Sequence, residues 1–295
     1  MNCRCAMKLN DSPLPTNNLL GEWLKEASRQ MQPVSDSATL EAQMIASHVL
    51  KKSRSWIIAH PEYIIPDELL SEMNEITNRL ADGYPFAYIT GNRDFYGRPF
   101  FVRPGLLVPR PETELLVETA IQWLRSNPDR RTAVDIGCGT GCIAVTLAAE
   151  IPDLRIDAVD IDPLAVEVTE LNARQYETTA NVHVREGNLL SGSSMKYDLV
   201  CSNLPYIPTS TVNELPAARH EPRLALDGGP DGLDLINALL EQTQCRLNPG
   251  GLILLEIEAT QGETARQAAC QFFPLAHITL TKDLAGLPRL VSIQI

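Results

Sequence analysis

An uncharged amide, a constrained backbone and an aromatic ring follow one another at Asn203-Leu204-Pro205-Tyr206. Before them runs Asp198-Leu-Val-Cys-Ser202, apolar and rich in strand formers, which reads as a buried parallel strand. Proline has no N–H to give to a ladder, so Asn203–Tyr206 must leave the strand and not lengthen it. In an open α/β sheet, ligands bind beyond the carboxyl ends of the strands. The residue types suit the holding of a substrate at that edge. Taken alone they also describe a Pro turn leaving a strand. A second constellation separates the two readings.

That constellation begins with Ala133-Val-Asp-Ile136, a strand, followed by Gly137-Cys138-Gly139-Thr140-Gly141 and an apolar helical run from Ile143. Glycines allow a tight turn and let a ligand approach the backbone with no Cβ in the way. About twenty residues on, a second strand, Ile156-Asp-Ala-Val-Asp160, ends in a carboxylate placed to hold ribose hydroxyls. A dinucleotide fingerprint would need glycine at 142, where the chain has Cys142. The G-x-G-x-G spacing suits a nucleoside without a pyrophosphate, which favours S-adenosyl-L-methionine over NAD. The alternative is a tight turn with no ligand.

These loops need a sheet to present them. From Thr132 the pattern alternates: strand 132–136, helix 141–150, strand 155–160, helix 163–175, and strands 181–186 and 197–202. A helix near 231–246, a strand 251–257, a helix from about 261 and strands near 275–281 and 288–295 complete it. Such alternation predicts a mostly parallel, doubly wound α/β sheet. Earlier, apolar residues recur at helical spacing in three places. They are Leu20, Trp23, Leu24, Ala27 and Met31; Leu40, Met44, Ile45 and Val49; and Leu69, Met73, Ile76 and Leu80. Ser37 or Asp36 is placed to cap the second helix and Pro66 to start the third. The domains expected are a loose tail over 1–16, a helical bundle over 17–88, a hairpin over 89–104 around Gly97, and a sheet domain over 105–295. His48 and His60 read as packing or surface residues.

Net charge is −12 with a pI near 4.9, which argues against a broad nucleic-acid footprint. The seven cysteines form no paired C-x-x-C motifs and the five histidines are scattered, so no zinc site is expected. Several cysteines fall in apolar runs, as buried free thiols do. Neither a signal-peptide core nor a membrane-length apolar run is visible, so a cytoplasmic protein is expected.

Glycine loop, Asp160 and Asn203–Tyr206 together resemble the methyltransferases that modify a planar NH2 group through an Asn/Asp-Pro-Pro-Tyr/Phe motif. More narrowly, the chain resembles the release-factor glutamine methyltransferases. That likeness covers Ala59-His-Pro61, Phe95-Tyr-Gly97, Leu107-Val-Pro-Arg-Pro-Glu-Thr-Glu114, Val134–Ala148 and Ser202–Ile207. It continues through His220-Glu-Pro222, Ala225-Leu226, Gly228-Gly-Pro-Asp-Gly-Leu-Asp234 and Asp283-Leu-Ala-Gly-Leu-Pro-Arg289. It implies a seven-stranded Rossmann-like sheet, a helical substrate-recognition domain, S-adenosylmethionine as donor with S-adenosylhomocysteine as product, and a peptide-chain release factor as partner. No direct contact with nucleic acid is expected.

By the same likeness, Gly137, Cys138, Gly139, Thr140 and Gly141 hold the methionine end of the cofactor. Asp160 holds the ribose, and Asn188 and Leu189 touch adenine. Asn203, Leu204, Pro205 and Tyr206 bind and orient the glutamine, and Asn203 also lies beside the cofactor. Asn203 Oδ1 and the carbonyl of residue 204 accept the two N–H bonds while Tyr206 stacks on the amide. No general base is needed, and Asp198 and Glu221 read as structural. The chain departs from the family pattern at Asn188 for Asp, at Glu258 for Gly and at Leu204 for the first Pro. Related chemistries remain open: a ribosomal-protein glutamine, the exocyclic amino group of adenine, or a binding module that has lost activity.

Overall fold

The structure is a computed structural model and describes residues 18–35 and 37–295. The expected tail, Cys3, Cys5 and Asp36 lie outside the described residues. The chain divides into two compact units at Thr90 and Gly91.

The first unit is helical: α1 (Leu20–Met31), α2 (Ala38–Leu50), α3 (Arg54–Ala59), α4 (Asp67–Ala81) and α5 (Phe86–Thr90). Its core gathers Leu20, Trp23, Ala27 and Met31 with Ile45, Val49, Met73 and Ile76, as the spacing of α1 and α4 predicts. Helix α2 differs. It buries Ala38, Ala42, Ile45, Ala46 and Val49, while Leu40 and Met44 are 39% and 38% exposed. Small alanines form the inward stripe, and Leu40 and Met44 make an i, i+4 row on another side. Ser37 precedes α2 without a side-chain cap bond, whereas Pro66 stands directly before α4. The short helix α3 was not foreseen; Trp56 in it stacks on His60, centroids 4.3 Å apart. His48 meets Phe86 edge-on, so both histidines pack against rings.

The second unit opens with a hairpin, β1 (Asn92–Phe95) and β2 (Arg98–Phe101), whose Phe95 and Phe100 enter this unit's core. There follow α6 (Glu114–Ser126), β3 (Thr132–Ile136), α7 (Cys142–Glu150), β4 (Arg155–Asp160), α8 (Pro163–Gln175), β5 (Val182–Glu186), β6 (Tyr197–Ser202) and α9 (Thr209–Val212). Then come α10 (Asp234–Thr243), β7 (Leu247–Glu256), α11 (Gly262–Phe272), β8 (His277–Lys282) and β9 (Pro288–Gln294). One seven-stranded sheet runs β5-β4-β3-β6-β7-β9-β8. The five strands from β5 to β7 are parallel, and β9 and β8 are antiparallel.

Alternate residues of β3 and β6 face opposite layers. Ala133, Leu199 and Cys201 pack under α6 and α7 residues such as Leu116 and Leu147. Val134, Ile136 and Val200 pack with Ile236 and Leu240 of α10 and Ala265 of α11. The strand order reverses between β3 and β6, the crevice where doubly wound sheets bind ligands. Register pairs Ile136 with Ser202 and Ser202 with Leu255. Gly137, Asn203 and Glu256, each the next residue, therefore share one edge.

At the opposite edge, Asp198 ties the strand starts together. Its carboxylate accepts from Arg131 N and Thr132 N (both 3.1 Å), Thr132 Oγ1 (2.7 Å), Asn248 Nδ2 (2.9 Å) and Arg130 Nη1 (3.1 Å). Burial pushes this carboxyl up, but the bonds from Thr132, Asn248 and Arg130 outweigh it and hold it below the ordinary carboxylate range. Asp198 is structural, as its sequence position implies. A depressed folded-state pKa contributes stability that is present above the unfolded value near 3.9 and is lost as pH falls through the lower folded one. Asp198→Ala is expected to cost about 1.5–3 kcal/mol or more at neutral pH. Urea unfolding should show the gap from wild type closing below about pH 4.

Candidate active site

Two cavities meet at the end of β6. The larger, about 250 Å³, is lined by Gly137, Cys138, Gly139, Thr140, Asp160, Asn188 and Leu189. The smaller, about 150 Å³, is lined by Arg110, Tyr206, Ile207, Leu215 and Leu226. Asn203, Leu204 and Pro205 line both, together with Leu107, Arg110 and Ala225. The motif is thus a wall shared by two chambers, one on the glycine-loop side and one opening past Tyr206.

On the first side, Asp160 is anchored before any ligand arrives. Its Oδ2 accepts from Gly139 N at 2.8 Å and its Oδ1 from Asp162 N at 2.9 Å. Burial pushes its carboxyl up, and those backbone donors pull against the shift. Asp160 therefore shapes the glycine loop as well as facing the cavity. Leu189 is buried with φ of 51°, a left-handed conformation rare for a leucine, while Asn188 is exposed at the rim.

The glycines divide by role. Gly139 has φ of +55°, and a Cβ there would meet no atom within 4 Å, leaving the backbone bare toward open space. Gly141, at +75°, would drive a Cβ to 2.6 Å from Thr169 Cγ2. It starts α7 against α8 and does not line the cavity, so its place is in packing.

Asn203 is fixed by a residue that the sequence reading passed over. Its Nδ2 donates to Oγ1 of buried Thr113 at 3.0 Å. Among the described residues no hydrogen bond reaches Asn203 Oδ1 or the Leu204 carbonyl. Two neighbouring residues therefore each keep an acceptor without a partner among the described residues. Tyr206 sends its O–H toward Glu256 Oε1 at 3.4 Å, and burial pushes its phenol well above the ordinary value. Its carbonyl is held by Gln261 Nε2 at 2.8 Å. Gln261 is positioned in turn by Glu258, which accepts from Thr260 N while Glu258 N donates to Gln261 Oε1. That capping box accounts for a glutamate where glycine is usual: φ is −71°, so glycine has no conformational advantage.

Leu204, a further departure, is 6% exposed, with Cδ2 only 3.1 Å from where a Cβ on Gly137 would stand. The side chain fills the angle between motif and glycine loop. Glu221 is buried and holds the preceding loop by accepting from Val108 N at 3.2 Å and from Arg110 Nη2. Arg110 and Thr113 belong to the Pro109–Glu114 run. Its signal was a threonine between two glutamates after a proline, too common a pattern to mark a site.

Two glycine substitutions separate binding from folding. Gly139→Ala should weaken S-adenosylmethionine about tenfold or more by calorimetry, beyond the roughly 1–2 kcal/mol of stability that its left-handed backbone costs. Gly141→Ala should instead destabilise the fold by about 1–3 kcal/mol through overpacking against Thr169, seen as a lowered Tm. Equal cofactor affinity in Gly139→Ala would remove that loop from the binding site.

Comparison with known proteins agrees with this architecture. A family model described as the PrmC N-terminal domain matches residues 22–91, and one described as the methyltransferase small domain matches residues 111–218. The solved methyltransferase from Pyrococcus furiosus shares the fold, with a TM-score of 0.51 at 19% identity over 74% of this chain and 98% of that one. The release factor glutamine methyltransferase of Moorella thermoacetica is 37% identical over 274 residues, 92% of this chain and 96% of the relative. That of Escherichia coli is 38% identical over 83% and 88%, and that of Rhodopirellula baltica 34% over 97% and 98%. Among the described residues no helix is long and apolar enough to cross a membrane. With identity at this level along nearly its whole length, the chain belongs to the release factor glutamine methyltransferase family.

Proposed function

We propose that the chain transfers the methyl group of S-adenosylmethionine to the side-chain amide nitrogen of the glutamine in the Gly-Gly-Gln loop of a peptide-chain release factor. S-adenosylhomocysteine is the second product, and the setting is the cytoplasm. The family carries the substrate class. The observation that carries the mechanism is the pair of bare acceptors, Asn203 Oδ1 and the Leu204 carbonyl, in the wall between two cavities.

The larger cavity fits the cofactor on grounds internal to this chain. Gly139 leaves an open backbone face, Asp160 has carboxylate lone pairs left for ribose hydroxyls, and Leu189 offers an apolar wall for a base. Bound there, S-adenosylmethionine supplies an electrophilic methyl group on a sulfonium. The difficulty lies with the acceptor, because an amide nitrogen shares its lone pair with its carbonyl. Asn203 Oδ1 and the Leu204 carbonyl can each take one N–H, which turns the nitrogen toward the larger cavity and favours its pyramidal form. Tyr206 and Ile207 line the smaller cavity, which would receive the planar amide. Holding two groups in such an arrangement can supply about 7–11 kcal/mol of a barrier. We assign the helical unit, residues 17–88, to recognition of the protein substrate.

Asn203→Ala should lower turnover on release factor by about 10²–10³, the range for loss of one oriented hydrogen-bonding group. A site with two acceptors also leaves a carboxylate unpaired, so a Gly-Gly-Glu loop should be rejected by roughly 10⁴-fold. Mass spectrometry of methylated release factor reads both. Near-wild-type activity in Asn203→Ala, or equal methylation of the glutamate loop, would overturn the mechanism.

A further inference from the structure

A buried side-chain amide has both a donor and an acceptor side to satisfy: two N–H groups and a carbonyl oxygen. Asn203 Oδ1 and the Leu204 carbonyl answer the N–H groups and leave the oxygen without a donor. Burying that oxygen unpaired would offset much of what the two acceptors contribute. A cavity that receives a glutamine therefore needs a donor as well.

Of the residues that line the smaller cavity, Arg110, Asn203 and Tyr206 carry the polar side chains. Asn203 gives an N–H to Thr113, and Tyr206 directs its O–H to Glu256 Oε1. Arg110 gives Nη2 to Glu221, and among the described residues its Nε and Nη1 make no hydrogen bond. The guanidinium is held at this wall. Glu221, its side chain 2% exposed against 37% for Arg110, is itself fixed by Val108 N at 3.2 Å. Pro109 and Pro111 flank Arg110, whose backbone is extended with φ of −96° and ψ of 141°. Its carbonyl accepts from Thr113 N at 3.2 Å. One short turn thus carries both Arg110 and the threonine that holds Asn203.

We propose that Arg110 is a substrate-specificity residue, whose free N–H groups take the carbonyl oxygen of the glutamine side chain while the motif's two acceptors take its N–H groups. The inference rests on the reading of this site as one that receives a glutamine amide. A guanidinium presents its donors in a fixed planar fork, so one edge can stay on Glu221 while another serves the cavity. Glu221 also balances the charge that Arg110 would otherwise set beside a sulfonium. A glutamate could give one oxygen to Arg110, but its other oxygen would meet Asn203 Oδ1 and the Leu204 carbonyl. The three contacts together read an amide and refuse an acid.

Arg110 lines the larger cavity too, where the carboxylate of the cofactor would be a rival acceptor. That cavity has donors of its own at the start of α7: Cys142 and Ile143 line it, and the first N–H groups of a helix have no partner within the helix. The smaller cavity is lined by no other charged side chain, so the need for a donor is greater there. The contact orients the amide and does not activate it. As the nitrogen becomes pyramidal its lone pair leaves the carbonyl, and the oxygen loses negative charge. The bond to Arg110 is then stronger in the bound substrate than in the transition state, so its loss should fall on KM more than on kcat.

Binding of unmethylated release factor to the full chain loaded with S-adenosylhomocysteine, read by calorimetry, tests the inference without catalysis. Wild type should bind a Gly-Gly-Gln factor about tenfold or more tightly than Arg110→Met does. With a Gly-Gly-Met factor, whose side chain is as long but lacks the carbonyl, the two proteins should differ little, because the partner of Arg110 is gone. In turnover, Arg110→Met should raise KM for the Gly-Gly-Gln factor about tenfold or more, with the smaller part of the loss in kcat. Arg110→Lys keeps a cation beside Glu221 without the fork and should lose the same preference; it decides if Arg110→Met fails to fold. An equal loss for both loops puts Arg110 against another part of the factor and overturns the inference. Weaker S-adenosylhomocysteine binding with an undiminished preference for Gly-Gly-Gln gives Arg110 to the cofactor and overturns it too. Wild type that prefers neither loop and methylates neither overturns the functional reading and the inference with it. Wild type that methylates Gly-Gly-Gln, with the full preference kept in Arg110→Met, overturns the inference alone.

Discussion

One hydrogen bond, from Asn203 Nδ2 to Thr113 Oγ1, gives the site its polarity. It joins residues ninety positions apart, so it depends on the sheet to bring the end of β6 to the turn that opens α6. The register of β3, β6 and β7 then puts the glycine loop on one side of Asn203 and Glu256 on the other. Moving β6 by one residue would exchange its two faces, and Leu199 and Val200 would each meet the wrong layer. The two packed layers lock the register, and the register places the chemistry.

Neighbouring groups serve folding and binding together. Asp160 holds Gly139 N while facing the cavity, so the carboxylate that suits a ribose also shapes the loop beside it. Leu204 lacks the ring that fixes a proline's φ, but Pro205 still biases it toward extended angles. Its buried side chain wedges against the glycine loop. Among the described residues its N–H makes no hydrogen bond, so proline would forfeit none there. Leucine and proline hold the same carbonyl by different means, one by packing and one by ring closure. The capping box at Glu258 is similar: glycine is exchanged for a side chain that steadies Gln261, and Gln261 steadies the Tyr206 carbonyl.

Much of this was legible in sequence because period and chain breaks carry it. The strands over 132–136, 155–160 and 197–202 agree with the structure residue for residue, since each is an apolar run closed by glycine, acid or proline. The glycine loop and Asp160 were legible for the same reason. Helix α2 was legible with Ile45 and Val49 inward, but Leu40 and Met44 were put on the buried face because large apolar residues at i, i+4 outweighed a stripe of alanines. Gly141 shows another limit. Three glycines at alternate positions look equivalent, yet only the neighbour across each Cβ vector tells ligand contact from helix packing. Thr113 and Glu256 were hidden because each matters through a distant segment, Thr113 through Asn203 and Glu256 through Tyr206. A partial signal for Glu256 existed: it is an acid closing a parallel strand beside the motif strand, at the ligand-binding edge.

Two carboxylates at that edge show what the arrangement costs the fold. Asp135 and Glu256 are both buried, each with one oxygen lacking a partner among the described residues, and burial raises both to about 7. A carboxyl whose folded-state pKa is raised binds protons more tightly folded than unfolded. Its effect on stability is therefore neutral below the unfolded value near 4 and grows into a penalty as pH rises toward 7. Asp198, on the far edge, has the opposite sign: its folded value is depressed and its contribution is greatest at neutral pH. One edge of the sheet thus gains from ionised acids while the other is strained by them. That distribution is what a fold shows when its strand starts are built for cohesion and its strand ends for chemistry.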